Sequence, residues 1–213
     1  MTVSSKKPGF FLTFEGPEGA GKSSQIKILA QHLEQRGFSV VLTREPGGTM
    51  LAEQLRDLLK HPPAGETLHD ETELLLMEAA RSQHVREVIA PALRAGKVVL
   101  CDRFYDSTTA YQGAARGLAL AEIDHLNRFA VGDCRPQLTF LLDLAPEVGF
   151  ARAKTRGGTD RIEAAGLEFH HKVRQAFLDL ARQEPERIKI INADRPADEI
   201  SAEIRSLADE FIR

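Results

Sequence analysis

Phe10-Phe11-Leu12-Thr13-Phe14-Glu15-Gly16-Pro17-Glu18-Gly19-Ala20-Gly21-Lys22-Ser23-Ser24 is the stretch on which the reading of this chain turns. A short apolar run passes into a glycine-rich loop and then into an amphipathic stretch opening at Lys22, which predicts strand, turn and helix in that order. Residues 16–23 fit G-x-x-x-x-G-K-[ST] in the structural context that pattern demands. Glycines let such a loop wrap so that successive backbone N–H groups point inward at phosphate oxygens, and the helix N-terminus adds its dipole. Lys22 then reaches the β- and γ-phosphates, while the Ser23 hydroxyl ligates Mg2+. The expected nucleotide cradle is Gly16, Pro17, Glu18, Gly19, Ala20, Gly21, Lys22, Ser23 and Ser24. Within it Glu18 is the odd residue. A carboxylate repels phosphates, so Glu18 is expected to point away from them, towards a hydroxyl-bearing partner such as a sugar.

Working outward, short apolar runs recur at 39–43, 97–101, 138–144 and 188–191. Val98-Val99-Leu100 and Phe140-Leu141-Leu142 are continuous instead of alternating, as in strands buried on both faces of a parallel sheet. Between the runs lie amphipathic stretches at 22–36, 50–60, 70–94, 119–131, 146–156, 167–183 and 196–212. This alternation predicts right-handed βαβ crossovers. The expected fold is α/β, a three-layer P-loop NTPase with a five-stranded parallel sheet flanked by helices and a short basic lid. The whole chain, 1–213, is expected to be one such domain, with residues 1–9 a flexible N-terminus and the lid at about 151–163.

Composition narrows the function classes. The 28 Lys+Arg against 31 Asp+Glu give a formal charge of −3, which removes the usual reason to expect a nucleic-acid partner. The two cysteines, Cys101 and Cys134, suit neither a disulfide framework nor a metal cluster. The first apolar run stops at Glu15, too short for a signal peptide, and no stretch approaches the roughly 18 apolar residues of a membrane span. A cytoplasmic chain with no membrane partner is expected.

The phosphate loop does not say what is done with the nucleotide. No Asn-Lys-x-Asp guanine reader is present, which argues against a GTPase switch. A kinase with a phosphate-bearing acceptor needs arginines beyond the loop lysine, and three places supply them. Asp102-Arg103-Phe104 ends the third run, at the sheet edge where ligands of open α/β folds bind. There Asp102 can hold Mg2+ or its water and Arg103 can fork onto a phosphate, although a strand-end salt bridge is the plain alternative. Thr43-Arg44-Glu45-Pro46-Gly47-Gly48-Thr49 ends the second run, and its paired glycines suit either close approach to a ligand or a capped turn. Arg152, Lys154, Arg156 and Arg161 bracket Gly157-Gly158, reading either as a mobile lid or as a solvated basic face.

Six motifs now stand in order: the Phe14–Ser23 loop, Thr43–Thr49, Ala79-Ala80-Arg81-Ser82-Gln83, Asp102-Arg103-Phe104, Ala110-Tyr111-Gln112-Gly113 and Asp160-Arg161-Ile162-Glu163. Together they resemble the bacterial thymidylate kinases, over nearly the whole chain from Phe10. The resemblance implies transfer of the ATP γ-phosphoryl group to dTMP, giving dTDP and ADP, with Mg2+, on the route to dTTP. It also implies a homodimer packed through long helices.

By that resemblance Glu18 faces the acceptor sugar's 3′-hydroxyl, Arg103 and Arg44 hold the acceptor phosphate, and Arg81 donates to thymine O4. Thr108, Tyr111 and Gln112 line base and sugar, with Tyr111 where a ribose 2′-hydroxyl would collide. Gly19 stands where eukaryotic-type members carry an arginine, so the catalytic arginine beside Lys22 and Arg103 is expected from the lid, Arg156 first and Arg152 second. Met77 departs from the phenylalanine that commonly stacks on thymine; its thioether can pack on a ring, but stacking is lost. The alternatives are another P-loop nucleoside or nucleotide monophosphate kinase with a different base preference, or a binding module without turnover. Lys22, Ser23, Asp102 and Arg103 are all present, which argues against the latter.

Overall fold

The computed structural model describes residues 9–154, 161 and 165–212. In chain order it forms β1 (Phe10–Glu15), α1 (Lys22–Gln35), β2 (Val40–Arg44), α2 (Met50–Lys60), α3 (Asp70–His84), α4 (Ala90–Arg94), β3 (Val98–Asp102), α5 (Tyr105–Thr108), α6 (Leu120–Val131), β4 (Leu138–Asp143), α7 (Pro146–Lys154), α8 (Leu167–Gln183), β5 (Ile188–Asn192) and α9 (Ala197–Phe211). All strand pairings are parallel and the order is β2-β3-β1-β4-β5. β1 therefore sits at the centre, and the chain leaves it on one side before returning on the other. The crevice at such a switch point, beyond the carboxyl ends of the strands, is where ligands bind in this class of sheet. The phosphate loop follows β1 directly into it.

Strand burial explains the continuous apolar runs. In β1 the even side chains Leu12 and Phe14 join α1 and α9 in one core cluster with Leu100, Phe140 and Ile204. On the opposite face Phe11, Val99 and Cys101 pack with Phe104 and the helices leading into β3, while Leu141, Tyr111 and Phe177 pack near α8. Only the edge strands leave large apolar side chains open, Leu42 on β2 and Ile190 on β5. Among the described residues no helix is long and apolar enough to cross a membrane.

One segment differs from expectation and another had none. The stretch 70–94 is not one uniform helix: α3 passes through a π-helical turn at Val85–Ile89 into α4, where Pro91 cannot donate the backbone hydrogen bond a continuous helix requires. Residues 105–115, to which the apolar periodicity assigned no element, form α5 and a π-helical turn at Thr109–Ala115. Tertiary packing against α8 and α6 stabilises these turns where local propensity gives little signal.

Candidate active site

Glycine conformation builds the loop. Gly21, at φ 89, precedes α1, and its carbonyl accepts the N–H groups of Ser24 and Gln25 at 3.0 Å each. Gly19 adopts φ +75, and a Cβ there would run into the Gly149 carbonyl of α7, just as one on Gly149 would meet the Glu18 carbonyl. The loop and α7 cross backbone to backbone, so position 19 has room for no side chain, arginine included.

Lys22 is buried and donates to the carbonyls of Gly16 at 2.9 Å and Pro17 at 2.8 Å. Burial, with the charge of Arg103 second, pushes its ammonium down to about 8. The Ser23 hydroxyl donates to Asp102 Oδ2 at 2.7 Å, joining two oxygen-bearing side chains 79 positions apart. Hard oxygen donors of this kind suit Mg2+. Among the described residues no cluster of three or more His, Cys, Asp or Glu could enclose a metal unaided. A cation between Ser23 and Asp102 would thus complete its shell with nucleotide phosphate and water.

Arg103 follows Asp102 with φ 70, a left-handed backbone that non-glycine residues rarely adopt. Its guanidinium donates to the Gly16 carbonyl and Ser107 Oγ at 3.2 Å each and pairs with Glu18. It also lies 5.2 Å from the centroid of the Tyr111 ring. The Arg103 charge holds the Glu18 carboxyl down at about 2. Glu18 thus turns towards Arg103, away from the cradle of amides. Arg44, more exposed, pairs with Glu53 at 2.8 Å. Arg56, which local pattern did not reveal, reaches the Pro46 carbonyl at 2.8 Å.

The opposite wall comes from α3 and the 105–115 segment. Arg81 is buried and donates to Glu45 Oε2 at 2.7 Å, Thr108 Oγ1 at 3.0 Å and Asn127 Oδ1 at 3.1 Å, besides pairing with Glu78. Glu45 also meets His84 Nδ1 at 2.9 Å, whose other ring nitrogen meets Thr43 Oγ1 at 2.7 Å. About two turns before Arg81 on α3, Glu73 is fully buried and accepts from Gln112 at 2.6 Å, Arg116 at 3.1 Å and Arg161. The Tyr111 hydroxyl is buried without a hydrogen-bond partner among the described residues, and burial pushes it up to about 12. An orphaned buried hydroxyl facing a cleft is the kind of group a ligand satisfies.

One cleft joins both walls. It is lined by Glu18, Gly19, Gly21, Lys22, Ser23, Ser24, Arg44, Met77, Arg81, Asp102, Arg103, Thr108, Tyr111 and Gln112, together with Arg161. Arg152 is placed differently: it donates to the Ala193 carbonyl at 2.9 Å and to Asp194 at 3.0 Å, beyond β5. Arg156 lies outside the described residues, as do Lys154's side chain and Gly157-Gly158. Sequence reasoning missed Glu15, Glu45, Glu73, Glu78, Ser107 and Asn127. The i, i+3 spacing of Glu78 and Arg81 was the one available signal; Asn127 gave none.

The comparisons with known proteins agree with one another. Residues 14–204 match the family model for thymidylate kinase. The chain is 53% identical over 197 residues to a thymidylate kinase of Syntrophotalea carbinolica, covering 90% of this chain and 91% of that one. It is 51% identical over 204 residues to that of Pseudomonas fluorescens, covering 96% and 97%. The crystal structure of thymidylate kinase from Ehrlichia chaffeensis superposes with a TM-score of 0.76 at 35% identity, over 94% of this chain and 99% of the other.

Proposed function

The chain belongs to the thymidylate kinase family, and from that premise we propose how its cleft phosphorylates dTMP to dTDP. The donor we propose is ATP, seated on residues 16–24, with Mg2+ held by Ser23 and Asp102. When bound, the cation neutralises charge between the β- and γ-phosphates and fixes their geometry.

The acceptor is a phosphate monoester, largely dianionic at neutral pH, so it needs no general base. The barrier is the meeting of two polyanions. Lys22 exchanges the Gly16 and Pro17 carbonyls for donor phosphate oxygens and regains the charge that burial weakened. Arg103, beside it, takes the acceptor phosphate, and Arg44 at the cleft's rim assists it. Glu18, anchored by Arg103, receives the sugar 3′-hydroxyl. Four of the five Arg81 N–H groups serve protein acceptors, which leaves one Nη2 hydrogen for thymine O4. Cytosine, with an amino donor at that position, would leave it unmet. Thr108 and Gln112 border the base, Met77 packs against it, and the Tyr111 hydroxyl excludes a 2′-hydroxyl. From the lid we assign Arg156 to the transferring phosphoryl group, since Arg152 is engaged beyond β5.

The observation that carries this reading is the single cleft shared by a cation-rich phosphate loop and a charge-cancelled Arg81. A coupled ADP-release assay with ATP and Mg2+ over dTMP, dUMP, dCMP and AMP tests it. The highest kcat/KM is expected for dTMP; a higher value for dCMP or AMP would refute the base assignment.

A further inference from the structure

Glu15 closes β1 and touches no face of the cleft, yet it is a fully buried carboxylate at the foot of the phosphate loop. Strand alternation explains where it points. Phe11 and Thr13 share its side of β1, the side carrying Phe104 and the 105–115 segment. Its two oxygens are met by an amide and a hydroxyl: Phe104 N–H reaches Oε1 at 2.7 Å and Ser107 Oγ reaches Oε2 at 2.6 Å. The first contact falls on the residue directly after the left-handed Arg103, and the second on the first turn of α5.

The same short segment is held from its other side. Asp106 is buried and receives both terminal nitrogens of Arg187, at 2.7 and 2.8 Å, and Arg187 reaches on to Thr139 Oγ1 of β4 at 3.0 Å. Asp106 thus lies close enough to Glu15 to make the Glu15 charge less favourable. Burial and Asp106 together push the Glu15 carboxyl up to about 8. A neutral carboxyl still serves the purpose: its carbonyl oxygen accepts Phe104 N–H and its hydroxyl shares a hydrogen bond with Ser107.

Strain at Arg103 needs an external restraint, because a non-glycine residue at φ 70 relaxes into the β or αR regions when free to do so. Relaxation would carry the guanidinium off the Gly16 carbonyl and Glu18. We propose that Glu15 is a positioning residue for phosphoryl transfer, fixing the Arg103 turn through the Phe104 amide and Ser107 so that the guanidinium stays aimed at the acceptor phosphate. This rests on the reading of Arg103 as an acceptor-phosphate ligand. Ser107 is the intermediate: it accepts from Arg103 Nη1 at 3.2 Å while held by Glu15, so one carboxyl orients both the backbone and the side chain of the same arginine.

The test is a double-mutant cycle read in kcat, dTMP KM and ADP affinity. Misplacing a phosphate ligand by about 1 Å costs on the order of 10²-fold, so Glu15→Ala is expected to lower kcat roughly 30- to 100-fold and raise dTMP KM. ADP affinity, set by the loop amides and Lys22, should stay within about threefold. In an Arg103→Ala background the added effect of Glu15→Ala on kcat should shrink to within about twofold, because Glu15 acts through Arg103. Glu15→Gln, which keeps an acceptor for Phe104 and a hydrogen bond to Ser107, should restore most of the turnover. Ser107→Ala, which keeps the backbone tie, should give an intermediate loss. Equal losses from Glu15→Ala in both backgrounds, or parallel loss of ADP affinity, would overturn the proposal by making Glu15 a general structural residue. Full turnover in Arg103→Ala alone would instead overturn the reading of Arg103.

Discussion

The two walls of the cleft hold their cations in opposite ways. On the phosphate-loop side Lys22 rests on the backbone carbonyls of Gly16 and Pro17 and Arg103 shares the Gly16 carbonyl, with Glu18 pairing to Arg103 as a carboxylate partner. On the α3 side Arg81 is enclosed by Glu45 and Glu78, with Asn127 and Thr108 taking two more of its N–H groups. A carbonyl is a neutral dipole, so the loop retains net positive charge for anions, and phosphate oxygens displace carbonyls readily. Arg81 has its charge cancelled twice over. What remains is a fixed donor, suited to a neutral base and unattractive to a stray phosphate. Both walls use the same chemical groups; the partners decide whether charge or direction is presented.

Breaking this contrast should show it in different observables. Lys22→Ala is expected to lower kcat by about 10³ or more while the melting temperature moves by only about 3 °C, since its partners are loop carbonyls. A stability loss as large as the activity loss would mean that Lys22 is chiefly structural. Arg81→Met should do the reverse, destabilising the fold by about 3–5 kcal/mol in urea denaturation because Glu45 and Glu78 are left buried without their cation. A stability change under about 1 kcal/mol would remove the argument for a charge-cancelled reader.

The smallest effect separates two carboxylates three positions apart. Glu18, at about 2 in the fold against 4.5 ordinarily, binds fewer protons folded than unfolded between those values. Its stabilisation is therefore full above pH 4.5 and lost as pH falls towards 2. Glu15, at about 8, binds more protons folded than unfolded between pH 4.5 and 8. Its contribution is full below 4.5 and lost as pH rises through 8. Melting temperature against pH, native minus Glu18→Gln, should climb from pH 3 to 5; native minus Glu15→Gln should decline from pH 5 to 8. Two curves of the same sign would contradict the opposite environments of the two groups.

Much of the phosphate-loop wall was legible from residue types alone, because its function is carried by backbone amides and by residues adjacent in the chain. Gly16 to Ser24 must be contiguous for the loop to wrap. Asp102 and Arg103 could be placed beside it because they end a strand at the same sheet edge. The α3 wall was far less legible. Glu45, Glu73, Glu78 and Asn127 meet Arg81 and Gln112 across separations of up to 46 positions, and carboxylates on an amphipathic helix look like a solvated face until packing buries them. The 105–115 segment was missed for the same reason: its turns are held by Glu15, Arg187 and α8, not by its own propensity.

The amino-acid sequence by itself determined the alternation of strand and helix, the anion-binding loop, the surplus of phosphate-directed arginines and, through six ordered motifs, the family. It could do so because those features depend on local periodicity and on contiguous backbone geometry. Only the tertiary structure decided the strand order that centres β1, the crossing of Gly19 and Gly149 that excludes a side chain at position 19, and the pairing of Arg81 with Glu45 and Glu78. It alone decided that Glu15 ends beneath Arg103. Those outcomes depend on which distant groups share a low-dielectric interior, where a buried charge must find partners from wherever in the chain the fold supplies them.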